Sequence, residues 1–445
     1  MKKKAFQAYR TLTLVFACVI VLAGCSGNSS TDTPTTTKAP AESGASESAA
    51  ANAGDLQPEP GASLLIWEAA GAKKVYMEKV IAEFQKKFPD VQIEYSETAG
   101  DKSVEKMITD APAGIGADVF VSSHDNLGRA VASGIILNLE KEYPDIAKEV
   151  RETHVESGIL ASSIKGELYG FPKTVETMAL YYNKDIFPEP PTTFEQAIEF
   201  AKTWNDPKNN KFTWMGDVGN AWAGYGFISS YGGYVFGDNG TNPQDIGVNN
   251  EGAIKGLTFM QSLSKVLLPV KTMDIDAGIR RSLFLDGKLA LNVSGPWDVQ
   301  EFRESGINFG VTPMLALPGG TPFKTFSSVQ SYYINEFTKY PNAAVLFAQF
   351  ASTKEMQLLN FEMTGSLPSN IAAGQTDEVK NDPISSGFVK QFEHSEPTPS
   401  ILEMPAFYSS VEPAMSAIYN DGADVKTALD NAAKSFKDAI KLLSQ

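Results

Sequence analysis

Leu64-Leu65-Ile66-Trp67, Lys73 to Phe88 and Val91-Gln92-Ile93-Glu94-Tyr95 follow one another with short gaps, and their order decides the fold class. The first is an apolar run that reads as a short buried strand. The second places Val80, Ile81, Phe84 and Phe88 on one side, the mark of an amphipathic helix, and the third alternates like a half-buried strand. Further strand signatures stand at Asp118-Val119-Phe120-Val121, Leu289-Ala290-Leu291-Asn292-Val293 and Gly310-Val311-Thr312. Helical windows lie between them, at Phe194 to Trp204, Ala253 to Val266, Ala343 to Phe350 and Val425 to Leu443. Such alternation predicts an α/β architecture. From Ala62 onward about 380 residues remain, too many for one hydrophobic core and suited to two. Proline-rich breaks at Phe187 to Pro191 and Pro318 to Pro322 punctuate the pattern without assigning strands to lobes.

The start of the chain is of a different kind. Met1-Lys2-Lys3-Lys4, an apolar run from Leu12 to Leu22, and then Ala23-Gly24-Cys25 resemble a bacterial lipoprotein signal peptide. The resemblance implies cleavage after residue 24 and a lipid on Cys25. The apolar run is too short for a stable transmembrane helix, which needs roughly 20 residues. Ser26 to Gly61 is a low-complexity stretch whose only large apolar residue is Leu56, so residues 25–61 are expected to form an unfolded leash. A flexible coil of that length spans roughly 30–35 Å.

Composition excludes several functions. Cys18 lies within the segment to be removed, which leaves Cys25 alone and rules out a disulfide or a cysteine-based metal site in the mature chain. His124, His154 and His394 show no ligand spacing, so no metal or other cofactor is expected. Removing residues 1–24 takes away four basic residues and no acidic one, and the net charge falls from −15 to −19. A surface this acidic argues against nucleic acid as a partner.

Several strings, taken in order, identify the folded part as a member of a family. Val175-Glu176-Thr177-Met178-Ala179-Leu180-Tyr181-Tyr182-Asn183-Lys184-Asp185 runs into a proline-rich turn and a helix ending at Trp204. Gly295-Pro296-Trp297 follows an apolar strand, Asp118-Val119-Phe120 precedes His124-Asp125, and Tyr231-Gly232-Gly233-Tyr234 precedes a Gly-Asp-Asn-Gly turn. In order and spacing these resemble the maltose/maltodextrin-binding proteins that serve ABC importers, from about Leu64 to the C-terminus. The resemblance implies a two-lobed periplasmic-binding-protein-like fold, with a hinge and a ligand cleft between the lobes. By that analogy residues 62–173 and 323–375 form the N-terminal lobe, and residues 174–322 and 376–445 the C-terminal lobe. It also implies a monomer tethered at the outer face of the cell membrane, which captures a maltodextrin-like oligosaccharide and hands it to permease subunits.

A sugar offers apolar ring faces and hydroxyl rims, so its site needs aromatic plates and ionised or amide partners. Carried over by position, the plates are Trp222, Trp297 and Tyr408, with Trp67 at the cleft end of the first strand. Asp125, Glu176, Lys73 and Glu105 are the hydroxyl partners. The residues themselves leave other readings open. Trp297 and Tyr408 could fill a core, Trp222 could do either, Glu176 could belong to a buried salt bridge, and Asp125 could cap the helix at Leu127. Relatives of this type carry an arginine where this chain has Asn126, a tryptophan at Val121 and a glutamate at Asn220. They also carry an aspartate in the loop that here reads Gly71-Ala72. The departures point to an altered pattern of subsites and leave room for a different oligosaccharide. The alternative of a surface glycoside hydrolase needs two carboxylates about 5–10 Å apart across one bond, for which Asp125 and Glu176 are candidates. An adhesion lipoprotein without a ligand is a third reading.

Overall fold

The computed structural model describes residues 56–443, so the expected signal peptide, Cys25 and most of the leash lie outside the described residues. Helices stand in each of the expected windows, as Ala72–Lys87, Phe194–Trp204, Glu251–Val266, Pro341–Ala351 and Val425–Leu443. The second begins with a capping box, in which Thr193 and Gln196 satisfy each other's free backbone N–H groups.

Thirteen strands are present among the described residues: β1 (Ser63–Glu68), β2 (Gln92–Glu97), β3 (Val119–Ser123), β4 (Ser163–Ile164), β5 (Glu167–Leu168), β6 (Gly170–Thr177), β7 (Ala179–Asn183), β8 (Phe212–Met215), β9 (Leu289–Ser294), β10 (Phe309–Thr312), β11 (Thr325–Ile334), β12 (Leu367–Pro368) and β13 (Ser395–Pro397). The larger sheet has the order β12-β6-β11-β3-β1-β2, with β13 beside β11. A four-stranded sheet has the order β10-β7-β9-β8, and among the described residues β4 and β5 pair only with each other. The larger sheet carries the first lobe and is joined by β13 from the last part of the chain, and the four-stranded sheet carries the second.

Side chains alternate across a strand, and this divides the first lobe into two cores. Leu64, Ile66, Val119 and Val121 pack with Tyr76, Val80 and Phe84 of the helix Ala72–Lys87. On the other face Leu65, Trp67 and Phe120 pack with Val104 and Met107 of the helix Gly100–Asp110. The second lobe has its own core, which includes Tyr181, Trp214, Phe284 and Leu291.

The chain passes between the sheets at Met178, the single residue separating β6 from β7. This lies five residues beyond Lys173, because β6 stays paired to β11 as far as Thr177 opposite Ser327. β11 carries the chain back, and β13 returns to pair with it at Thr325–Ser327. The crossing strands are tied by hydroxyls, with Thr177 and Thr325 oxygens 2.7 Å apart.

Residues 56–61, expected to belong to the unfolded leash, are packed on the first lobe instead. Leu56 is buried in the first lobe's core, and the Glu59 carboxylate accepts the N–H groups of Asn342 and Ala343 at 2.8 and 3.0 Å. These are free donors of the helix Pro341–Ala351, and an anion there is favourable. Apolar burial plus a cap anchors residues 56–61 where composition alone suggested a coil.

His154 is buried between the helix Pro144–Thr153 and Asn370, and burial pushes its pKa down to about 4. Protons therefore bind the unfolded chain first as pH falls below about 6.5. The folded state loses up to about 2–3 kcal/mol at pH 4.5 on this account. Urea unfolding at pH 7.5 and 4.5 checks it: His154→Gln is expected to flatten the difference, and an unchanged difference refutes it.

Candidate functional site

The cleft cavity is built from strand ends and helix starts of both lobes. Asp125 follows β3 in a turn of 3-10 helix, His124–Asn126, while Glu176 and its register partner Ser328 lie on β6 and β11. Gln330, two residues on from Ser328, points the same way and faces Ser123 across the sheet. These polar side chains, with Trp222, Trp297 and Tyr408 from the second lobe, surround a cavity of about 510 Å³. That size suits a ligand of several rings or a drug-sized molecule.

The aromatic plates are set by local chemistry. Trp297 folds back on Gly295, where an added Cβ would meet the indole at 2.2 Å, so only glycine fits before Pro296. Asp298, buried beside it, accepts the Ser294 hydroxyl at 2.6 Å and Arg281 at 3.2 Å, which fixes the turn. Burial raises the Asp298 carboxyl against the pull of those partners. The Trp222 ring stands 6.3 Å from that of Trp297 at 46°, and its indole N–H donates to the Thr398 hydroxyl at 3.1 Å. The loop carrying Trp222 is held from below, since Glu412 accepts both the Ala221 N–H (3.1 Å) and the Asn220 amide (3.2 Å). Burial raises the Glu412 carboxyl.

The carboxylates are partly engaged. Asp125 does not cap a helix; it accepts the Tyr408 hydroxyl at 3.0 Å, from the opposite lobe, and the Asn126 amide at 3.2 Å. Burial, followed by the Asp125 charge, holds the Tyr408 phenol protonated well above its usual range. Glu176, 4% exposed, accepts the Thr174 hydroxyl at 3.2 Å and the Gln330 amide at 3.4 Å. Both bonds are long for an ionised acceptor, which leaves its oxygens available to a closer donor.

Beneath this floor His124 joins three segments. Its Nδ1 accepts the Val329 N–H at 3.1 Å, so the proton sits on Nε2, which donates to the Thr398 carbonyl at 2.7 Å. Burial lowers its pKa, in keeping with this neutral tautomer. Nearby, Gly128 donates its N–H to the Ser400 carbonyl at 2.9 Å, and any Cβ there would lie 2.5 Å from that oxygen. The cleft elbow is thus latched to residues 398–402.

Six of the eight expected contact residues line the cavity: Glu105, Asp125, Glu176, Trp222, Trp297 and Tyr408. Trp67 does not. It is 2% exposed, shares the face of Leu65, and lies under the helix Gly100–Asp110 with the Lys106 ammonium 3.5 Å from its ring. Lys73 also lies outside the cavity lining, on the helix Ala72–Lys87, close enough to Lys173 for its charge to lower that lysine's pKa. Val121 points into the core, so its identity adds or removes no plate. Sequence reasoning missed Ser123, Ser328, Gln330, Arg129 and Glu412. The last two stand one helical turn after Asp125 and Tyr408, a spacing that could have found them. Among the described residues no group of acidic, histidine or cysteine side chains could hold a metal ion.

Comparison with known proteins bears on this cleft. A family model described as bacterial extracellular solute-binding protein matches residues 79–386. The chain is 33% identical over 388 residues to a galactooligosaccharide-binding protein of Bacillus subtilis, covering 86% of this chain and 90% of that one. A maltooligosaccharide ABC transporter solute-binding lipoprotein of Streptococcus pneumoniae (strain R6) is 28% identical over 83% of this chain and 86% of its own length. The crystal structure of a cyclo/maltodextrin-binding protein complexed with maltotetraose superposes with a TM-score of 0.72 at 30% identity, covering 85% of this chain and 97% of that one.

Proposed function

The chain belongs to the bacterial extracellular solute-binding proteins, and on that premise we propose that it captures a neutral oligosaccharide of the maltodextrin or galactooligosaccharide type for an ABC transporter. One observation carries this reading: tryptophans 222 and 297 and Tyr408 face Asp125 and Glu176 across a single cavity. Plates on one lobe and hydroxyl acceptors on the other suit a sugar, whose rings and rims need both. Relatives that bind maltooligosaccharides and galactooligosaccharides support the class without choosing between them. We assign ligand contact to the six lining residues, and place the hinge where β6, β11 and β13 lie side by side.

Binding would draw the lobes together by contacts that only the closed form makes. The closed shape is then what permease subunits would recognise. We read the chain as a monomer tethered through Cys25 at the extracellular face of the membrane, where a leash raises its concentration near the permease. No bond of the sugar need break. A melting-temperature panel of maltose, maltotriose, longer maltodextrins and galactooligosaccharides tests the reading. Stabilisation by one series is expected; none by any neutral sugar, or shortened products after incubation, contradicts it.

Glu176→Gln keeps the shape of the side chain and removes its charge. Because hydrogen bonds to an ionised acceptor are worth about 1.5–3 kcal/mol, affinity is expected to fall at least about tenfold. The melting temperature of the free protein should stay within a few degrees, and calorimetry on the folded variant reads both.

A further inference from the structure

One cation in the cleft wall has no partner. Arg129, partly buried in the helix Leu127–Ala132, makes no side-chain hydrogen bond, ion pair or ring contact with any described residue. Of the wall's other charges, Lys102 lies 3.9 Å from Asp101, and Asp125, Glu176 and Glu412 accept the bonds described above, while the Glu105 carboxylate, like Arg129, pairs with no described residue. Arg129 stands three and four residues after Asn126 and Asp125, one helical turn on, and lines the same cavity. Its backbone is fixed next door, where the Gly128 N–H meets the Ser400 carbonyl at 2.9 Å. The backbone is held at Gly128, and the Arg129 guanidinium is unengaged among the described residues.

A guanidinium presents several N–H donors in a rigid planar fork, matched to two adjacent oxygens. Those oxygens are usually a carboxylate or a phosphate, but here the wall carries Asp101, Glu105, Asp125, Glu176 and Glu412 against Lys102 and Arg129. An anionic ligand would meet a net repulsive wall. Two neighbouring hydroxyls of a neutral sugar ring satisfy the fork without that cost.

We propose that Arg129 is a specificity-determining ligand contact, which donates two hydrogen bonds to a vicinal hydroxyl pair of a neutral oligosaccharide in the cleft. This rests on the oligosaccharide reading above. It selects sugars whose linkage leaves that pair free, and selects against acidic ones.

Calorimetry with maltotetraose, a galactotetraose and tetragalacturonate, on the wild type, Arg129→Ala and Arg129→Lys, tests it. The wild type is expected to bind one or both neutral sugars and to bind the acidic one more weakly. Arg129→Ala should lose about tenfold in affinity for the preferred sugar with an unchanged melting temperature. Arg129→Lys, which keeps the charge but not the fork, should recover less than half of that loss on a logarithmic scale. Wild-type binding with an unaffected alanine variant, full recovery by lysine, or tighter binding of the acidic sugar each overturns the assignment and leaves the oligosaccharide reading standing. A wild type that binds neither neutral sugar overturns both.

Discussion

Lys173→Met is expected to destabilise the protein by about 3–5 kcal/mol. Lys173 is 2% exposed and Glu68 is 1% exposed, and the two form an ion pair inside the first lobe. The rings of Tyr76 and Tyr332 lie 5.3 and 5.4 Å from the ammonium. Burial lowers the lysine's pKa, while the Glu68 charge opposes that. Removing one partner leaves the other charge in the same dry surroundings, which costs far more than the pair contributes net. Glu68→Leu combined with Lys173→Met should therefore recover much of the loss, a coupling visible in a double-mutant cycle. Denaturant melts of the four proteins measure it. Additive losses would mean that the two charges are solvated independently, against the burial seen here.

Trp297→Ala is expected to weaken oligosaccharide binding by about 2–3 kcal/mol, roughly 30- to 150-fold. Its indole is only partly buried and lies on Gly295, so the fold gives up little packing when the ring goes. Bound sugar, by contrast, loses a plate that no neighbour replaces, since Trp222 stands 6.3 Å away at an angle of 46°. Titration calorimetry and thermal melts on the same preparation separate the two effects. An affinity within threefold of the wild type would remove Trp297 from the site.

Legibility followed the chemistry of each segment. The apolar strands β1, β3 and β9 and the long helices announced themselves by period, because each has a face that must be buried. β6 and β11 did not, although they carry Glu176, Ser328 and Gln330. β11 reads Thr-Phe-Ser-Ser-Val-Gln-Ser-Tyr-Tyr-Ile, and its buried hydroxyls hide the pattern. They are tolerated because they pair across strands and segments, Ser328 with Ser123 and Ser331 with Ser162, both at 2.7 Å. Trp67 shows the opposite failure: a matching position in sequence, but a strand face turned to the helix Gly100–Asp110. Asp125 was legible as a cavity residue, but its bond from Tyr408 was not, since that hydroxyl comes from far along the chain.

The most direct test of a cleft that holds neutral oligosaccharides is a titration of the wild-type protein with maltotetraose and, separately, with a galactotetraose. One site per chain is expected for at least one of them, with a dissociation constant in the micromolar range, about −8 kcal/mol. Absence of binding by both sugars at millimolar concentration would contradict it.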